Sequence, residues 1–222
     1  MPTQKRHVFI SGGTGYLGRR VIPELLSRGH SVRALARPGS EGRVSPGCET
    51  VSGDALDAAS FSESVAPCDT FLQLVGVPHP SPAKAALFRS VDLASQLASV
   101  RAALDGRVKH FVYVSVAHPA PVMKAYWQAR EEGEAALRAS GIPATILRPW
   151  YVLGPGHRWP YLLLPGYWLF ETLPGTREGA RRLGLVTLDQ MARALVFAVE
   201  TPPPELRILE VPQIRNAAVA PA

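Results

Sequence analysis

The chain has 222 residues, of which 46% are hydrophobic and 19% are charged, and its net charge at neutral pH is +6. Such a composition is typical of an ordinary globular protein with a full core. The positive charge raises the question of a nucleic-acid interface, but no run of lysine and arginine is longer than a pair. We therefore expect a basic surface that attracts phosphorylated ligands, and no nucleic-acid partner.

The spacing of the cysteines and histidines and the length of the apolar segments bear on metal binding and on membrane insertion. Cys48 and Cys68 lack metal-ligand spacing, as do the six histidines, so we expect reduced thiols and no metal site. No signal peptide precedes the first strand, and no segment reaches the ~20 apolar residues of a membrane span. The sequence predicts a cytoplasmic protein without stable membrane insertion, formed by a single domain over residues 1–222.

Residues 8–18, VFISGGTGYLG, predict a strand, a tight glycine turn and a helix. Glycines let the backbone approach a pyrophosphate, and the first N–H groups of the helix bind it with the positive end of the helix dipole. A purely structural turn is the alternative. The glycines are spaced three and three, unlike the common G-x-G-x-x-G fingerprint. The residues expected to contact the cofactor here are Gly12, Thr14, Gly15, Tyr16, Leu17 and Gly18.

Arg37 follows the second predicted strand, residues 31–36, at the position that faces the adenosine ribose in dinucleotide folds. An acidic residue there accepts from the 2′-hydroxyl of NAD, whereas an arginine accommodates the 2′-phosphate of NADP. No carboxylate occurs before Glu41. Arg37, helped by Arg33 or Ser40, therefore favours NADP, and NAD remains the alternative because Arg37 is one of many arginines on a basic surface.

Strands and helices alternate along the rest of the chain. Strands are predicted at residues 49–52, 70–77 and 108–115, with a long helix at 83–104. This pattern predicts an α/β fold, a Rossmann-type doubly wound parallel sheet with helices on both faces. Ligands then bind at the carboxyl ends of the strands, where we expect contacts from Asp54, Ala55, Leu74, Val75 and Gly76. Capping of the next helix by Asp54 or Asp57 is the alternative role.

Ser115, Tyr126 and Arg130 form the candidate catalytic group. Tyr126 and Arg130 are four residues apart in a helix-prone segment, so they share one helix face. A tyrosine with its ordinary pKa near ~10 is a poor acid or base at neutral pH until a cation stabilises its phenolate. Arg130 supplies such a cation, and Ser115 can hold a substrate oxygen beside the phenol. Packing of Tyr126 beside Trp127 is the alternative.

These motifs together resemble the short-chain dehydrogenase/reductase superfamily, of the atypical or extended kind that includes NmrA-like and complex-I-accessory-subunit-like proteins. The matching segments are SGGTGYLG at 11–18, VRALARP at 32–38, GDALD at 53–57, FVYVS at 111–115, YWQAR at 126–130 and TILRPWYVLGPG at 145–156. The resemblance implies that Ser115 orients the substrate carbonyl and Tyr126 transfers the proton. It also implies nicotinamide contacts from Pro149, Trp150 and Val152.

Two positions depart from the family pattern. Arg130 replaces the lysine that holds the nicotinamide ribose; arginine keeps the charge but cannot release a proton, which puts turnover in question. Asp92 stands near the place of a family asparagine with a structural or proton-relay role. Residues 149–183 are the expected substrate or lid segment, and within them the apolar stretch 159–170 has lid, packing, dimer-contact and membrane-surface interpretations. Thr187 and Gln190 have capping-box spacing.

The combined expectation is an NADP(H)-dependent oxidoreductase that transfers a hydride to or from a small, apolar carbonyl or alcohol substrate. The alternative is a non-catalytic NAD(P)-binding sensor or assembly protein, as among the NmrA-like and complex-I-like relatives. An epimerase or dehydratase needs a nucleotide-sugar site, for which this short chain has little room. The expected partner is a small-molecule substrate, and the expected state is a monomer or homodimer.

Overall fold

The computed structural model describes residues 4–120, 122–155 and 183–217. The apolar stretch 159–170 and most of the expected lid segment lie outside the described residues. Within those ranges, no helix is long and apolar enough to cross a membrane. The same ranges hold no cluster of three or more histidine, cysteine or acidic side chains that could bind a metal ion.

The described residues form one sheet of seven parallel strands and a separate parallel pair, which confirms the predicted fold class. The large sheet has the order β3-β2-β1-β4-β5-β6-β9, and β7 pairs with β8. The first six strands in this order reproduce the 3-2-1-4-5-6 arrangement of dinucleotide-binding folds, in which the strand order reverses between β1 and β4. The strands are β1 His7–Ser11, β2 Ser31–Ala36, β3 Glu49–Ser52, β4 Thr70–Gln73, β5 His110–Val114, β6 Ala144–Arg148, β7 Tyr151–Leu153, β8 Leu185–Thr187 and β9 Leu206–Glu210.

Helices cover both faces of the sheet. They are α1 Gly18–Ser27, α2 Ala85–Leu87, α3 Ala94–Asp105, α4 Lys124–Ala139, α5 Leu188–Glu200 and α6 Val211–Arg215. Alternate residues of each strand point to opposite faces. Val8 and Ile10 of β1 therefore pack with α1 and α5, whereas Phe9 packs with α3, α4 and the stacked rings of Phe71 and Phe111. These two apolar layers hold the strand ends in place.

Three boundaries differ from the sequence prediction. The helix expected over 83–104 is instead divided into α2, a π-helical segment Phe88–Leu93 and α3, because the π turn carries Asp92 into the interior. The strand expected at 70–77 ends at Gln73, since the next residues leave the sheet to pack on the glycine turn. The strand expected at 108–115 ends at Val114 and leaves Ser115 in the following loop.

Candidate functional site

The glycine turn lies between β1 and α1, against the backbone that leaves β4. Gly12 has a φ of +84°, and a Cβ there would be 2.8 Å from the carbonyl carbon of Leu74. A Cβ on Gly18 would collide with the carbonyl oxygens of Gly12 and Gly13. The turn can close this tightly only with glycine at both positions.

The same turn presents unpaired donors at the start of α1. Gly15 donates to the Gly12 carbonyl at 3.0 Å, and Arg19 and Val21 donate back to the turn. Among the described residues, the N–H groups of Leu17 and Gly18 have no backbone acceptor. Free N–H groups at a helix start bind phosphate. These residues therefore fit the pyrophosphate of a dinucleotide.

Arg37 follows β2 at the same sheet edge, exposed to solvent. In the part of the chain that the structure describes, its guanidinium has no ion-pair partner. The expectation that Arg33 helps Arg37 to bind a 2′-phosphate is wrong. Arg33 instead donates to the carbonyls of Ser64 and Ala66 and pairs with Glu49 at 2.9 Å. Only Arg37 of the two remains available for an anion.

Asp54 follows β3 and stabilises the turn that begins there. Its Oδ1 accepts from the backbone N–H of Leu56 at 3.0 Å, and Asp57 accepts from Ala59 at 3.1 Å. Both carboxylates therefore act as turn caps, which is the alternative role that the sequence left open. An adenine contact by Asp54 or Ala55 stays a prediction.

The candidate catalytic residues come from two elements, the end of β5 and helix α4. Ser115 directly follows β5 and is 2% exposed, whereas Tyr126 lies in the first turn of α4 and Arg130 lies one turn later. The predicted common helix face is confirmed by the guanidinium of Arg130, which lies 5.5 Å from the ring centroid of Tyr126. Arg130 also contacts β5, since it donates to the Val114 carbonyl.

The Arg130 guanidinium is bound deep in the interior. It donates to Asp92 Oδ1 at 2.5 Å and to the Val114 carbonyl at 2.9 Å, and Asp92 Oδ2 accepts from the Val77 N–H. A Cβ on Gly76 would collide with Nη2 of Arg130. The absence of a side chain at Gly76 thus leaves space for Arg130. The predicted contact between the Gly76 backbone and the cofactor stays a prediction.

The phenol of Tyr126 does not have the lowered pKa that the sequence suggested. Burial raises the pKa of Tyr126 above its usual value, and the opposing effect of Arg130 is too small to reverse this. Its ring also packs on Phe88, with 4.9 Å between centroids. Tyr126 is therefore a neutral phenol at neutral pH.

Glu134 is a buried, ion-paired carboxylate of α4 that sequence analysis missed. It lies one further turn along the same face of α4 and is 2% exposed. Arg148 at the end of β6 donates to both of its carboxylate oxygens, at 2.9 and 2.5 Å. The four-residue step from Arg130 was visible in the sequence, but the burial of Glu134 was not.

The loop after β6 approaches the site from the other side. Pro149 accepts a hydrogen bond from the Ala117 N–H at 3.0 Å, and Trp150 and Val152 are partly buried. The hydroxyl of Tyr16 lies directly against Gly154, so the glycine turn contacts the segment after β7. The segment after β7 therefore lies beside the predicted pyrophosphate site, and the nicotinamide contacts stay a prediction.

A family model described as NAD(P)H-binding matches residues 12–158, a span that contains the glycine turn, Ser115, Tyr126 and Arg130. The chain belongs to this NAD(P)H-binding family. The match confirms the expected nicotinamide dinucleotide-binding family without distinguishing NADP from NAD.

Curated relatives of this family member include reductases and an assembly factor. Photosystem II assembly factor Ycf39 of Trieres chinensis is 30% identical over 64% of this chain and 44% of its own length. Divinyl chlorophyllide a 8-vinyl-reductase of Oryza sativa subsp. indica is 32% identical over 64% of this chain and 39% of its own length. Ceramide reductase of Caulobacter vibrioides is 27% identical over 90% and 60%. The chain thus spans less than half the length of the first two relatives.

Solved structures confirm the short-chain dehydrogenase/reductase fold. A superfamily member from Agrobacterium tumefaciens with bound NAD has a TM-score of 0.67 at 18% identity, covering 92% of this chain and 77% of that one. A UDP-galactose 4-epimerase has a TM-score of 0.68 at 16% identity, covering 91% and 76%. At these identities the comparison shows the fold alone, which oxidoreductases and epimerases share.

Proposed function

We propose that the protein is an NADP(H)-dependent oxidoreductase that reduces a small, apolar carbonyl compound to an alcohol. One observation carries the proposal: Ser115 follows the end of β5, at the same edge of the parallel sheet where the glycine turn follows β1. Arg130, which lies against the Tyr126 ring, donates to the carbonyl of Val114 at that strand end. The reductases among its relatives support an oxidoreductase. The substrate class and the direction of reaction rest on the chemistry of these side chains.

The glycine turn and Arg37 are the residues that would hold the cofactor. The N–H groups of Leu17 and Gly18 would bind the pyrophosphate, and Arg37 would pair with a 2′-phosphate. A bound nicotinamide supplies or accepts the hydride. Pro149, Trp150 and Val152 are proposed to exclude water at that end.

Tyr126 is proposed to supply the proton. Its raised pKa keeps the phenol protonated at neutral pH, so it can donate to the oxygen of a carbonyl that receives the hydride. Ser115 would hold the same oxygen by a hydrogen bond. Arg130 would then stabilise the phenolate that remains, since its charge lies against the Tyr126 ring.

The test is NADPH oxidation with a panel of hydrophobic aldehydes and ketones. We expect turnover with at least one compound and a loss of at least about 100-fold in kcat for Tyr126→Phe, because general acid catalysis contributes about that much. The NADPH dissociation constant should stay within about twofold, which shows that the variant is folded. Retained turnover in Tyr126→Phe would refute the role of the phenol.

A second function is favoured by the state of Arg130. Its guanidinium already donates to Asp92 and to the Val114 carbonyl. To hold a nicotinamide ribose as well, it would have to donate a further hydrogen bond from the same guanidinium. A protein that binds NAD(P) without turnover, as a sensor or assembly protein, tolerates this arrangement. It predicts tight NADPH binding with no hydride transfer to any compound.

A further inference from the structure

Glu134 is a buried carboxylate on the candidate catalytic face of α4. Its Oε1 accepts from His118 Nε2 at 3.2 Å and from Arg148 Nε at 2.9 Å. Its Oε2 accepts from Arg148 Nη2 at 2.5 Å and from Arg138 Nη2 at 3.0 Å. Of these partners, Arg138 is 41% exposed, whereas Arg148 is 13% exposed and His118 is 8% exposed.

The buried donors come from two different strand ends. His118 belongs to the loop that begins at Ser115 after β5, and Arg148 is the last residue of β6. Arg148 also donates to Glu210, the last residue of β9, at 3.1 Å. One carboxylate on α4 therefore ties together the carboxyl ends of β5 and β6, and through Arg148 that of β9.

Glu134 is charged in this buried position. Burial would raise its pKa, but hydrogen bonds from His118 and Arg148 hold the pKa of Glu134 well below its usual range. The side chain is therefore an ionised carboxylate, which can only accept. Ser115 Oγ is itself buried and has no hydrogen-bond partner among the described residues, so its single proton stays available for a substrate oxygen. Glu134 thus acts through His118 on the loop that carries Ser115, and not on the hydroxyl itself.

We propose that Glu134 is a positioning residue that sets the spacing of the β5 and β6 exits and thereby places Ser115 at the reacting carbonyl. This inference rests on the proposed function, in which Ser115 holds the substrate oxygen. Glu134 itself touches neither substrate nor cofactor. It acts through His118 and Arg148, which hold the loop that begins at Ser115 and the end of β6.

The principal variant is Glu134→Gln, which keeps the shape and removes the charge. We expect kcat/KM for carbonyl reduction to fall about 100-fold, because a misplacement of about 1 Å costs that much. The fall should appear in kcat, with NADPH affinity unchanged within about twofold, since the proposed phosphate contacts follow β1 and β2. The matched control is Arg138→Ala, which removes an exposed donor to the same carboxylate and should retain wild-type kcat/KM.

A double-variant cycle separates positioning from general support of the fold. In a Ser115→Ala background, Glu134→Gln should lower kcat/KM by less than about threefold, because its effect is exerted through the placement of a hydroxyl that this background lacks. A full 100-fold loss in that background would overturn the inference while leaving the proposed function intact. Wild-type kcat/KM in Ser115→Ala would instead overturn the assigned role of Ser115, and with it this inference.

A second measurement needs neither cofactor nor turnover. The Trp127 indole stacks on His118, with 6.2 Å between ring centroids. The Trp127 indole N–H signal in an NMR spectrum should shift in Glu134→Gln and stay in place in Arg138→Ala. If Glu134→Gln does not fold, Glu134→Asp keeps the charge but shortens the reach, and the same two readouts apply. An unmoved signal would contradict the positioning role.

Discussion

Gly76→Ala tests how the interior of the site is packed around Arg130. The new Cβ would collide with Nη2 of Arg130 and lie 3.3 Å from Asp92 Oδ1. The two side chains are 6% and 0% exposed, so the guanidinium has little room to move without weakening its pairing with Asp92. Full loss of a buried pair costs about 3–5 kcal/mol, and overpacking with partial adjustment costs about 1–3 kcal/mol. We expect a destabilisation of roughly 2–3 kcal/mol.

Urea unfolding of Gly76→Ala and Gly42→Ala measures this cost. Gly42 is the matched control, because a Cβ there has no atom within 4 Å and its φ lies outside the left-handed region. The control should change the free energy of unfolding by less than about 1 kcal/mol, with both m-values unchanged. Replacing the ion pair by Asp92→Asn with Arg130→Met should largely remove the cost of Gly76→Ala. Equal stability of the two glycine variants would refute the reasoning.

Two further predictions concern pH and cofactor choice. Burial lowers the pKa of His110 to about 3, so between pH 6.5 and 3 the imidazole is protonated in the unfolded chain but neutral in the folded chain. The folded state therefore has its full stability above about pH 6.5 and loses stability as the pH falls toward 3. The free energy of unfolding should be about 2 kcal/mol lower at pH 5 than at pH 7.5. Urea unfolding at the two pH values should show a smaller difference in His110→Asn, and an equal difference in both proteins would contradict the role of His110. Arg37→Glu should weaken NADPH binding roughly 10- to 100-fold and leave NADH binding nearly unchanged in a fluorescence titration, whereas the control Arg193→Glu should affect neither. Equal weakening of both cofactors would argue against a 2′-phosphate contact.

Short-range patterns were the most predictable part of the molecule. The strand over 31–36 has the predicted bounds as β2, and the glycine turn has the predicted place between β1 and α1. The capping box is also confirmed, since Thr187 and Gln190 exchange hydrogen bonds at the start of α5. These features depend on neighbouring residues, so composition and spacing are enough to identify them.

Features that depend on tertiary packing were not predictable. The π-helical segment that buries Asp92 has no signature in the apolar spacing, because it is stabilised by the hydrogen bonds of Asp92 with Arg130 and with the Val77 N–H. The spacing of Tyr126 and Arg130 predicted a shared face but not the degree of burial that raises the tyrosine pKa. Glu134 was missed because its burial depends on the packing of α4 against the end of β6, where Arg148 pairs with it.

Hydride transfer is the measurement that tests the central claim most directly. The protein would be incubated with a reducible aldehyde or ketone and NADPH carrying deuterium at the transferable position of the nicotinamide ring, and the product would be analysed by mass spectrometry and NMR. The account predicts one deuterium on one face of the new carbinol carbon, with the transfer lost in Tyr126→Phe. Tight NADPH binding without deuterium transfer to any compound would contradict an oxidoreductase and leave the non-catalytic binding protein.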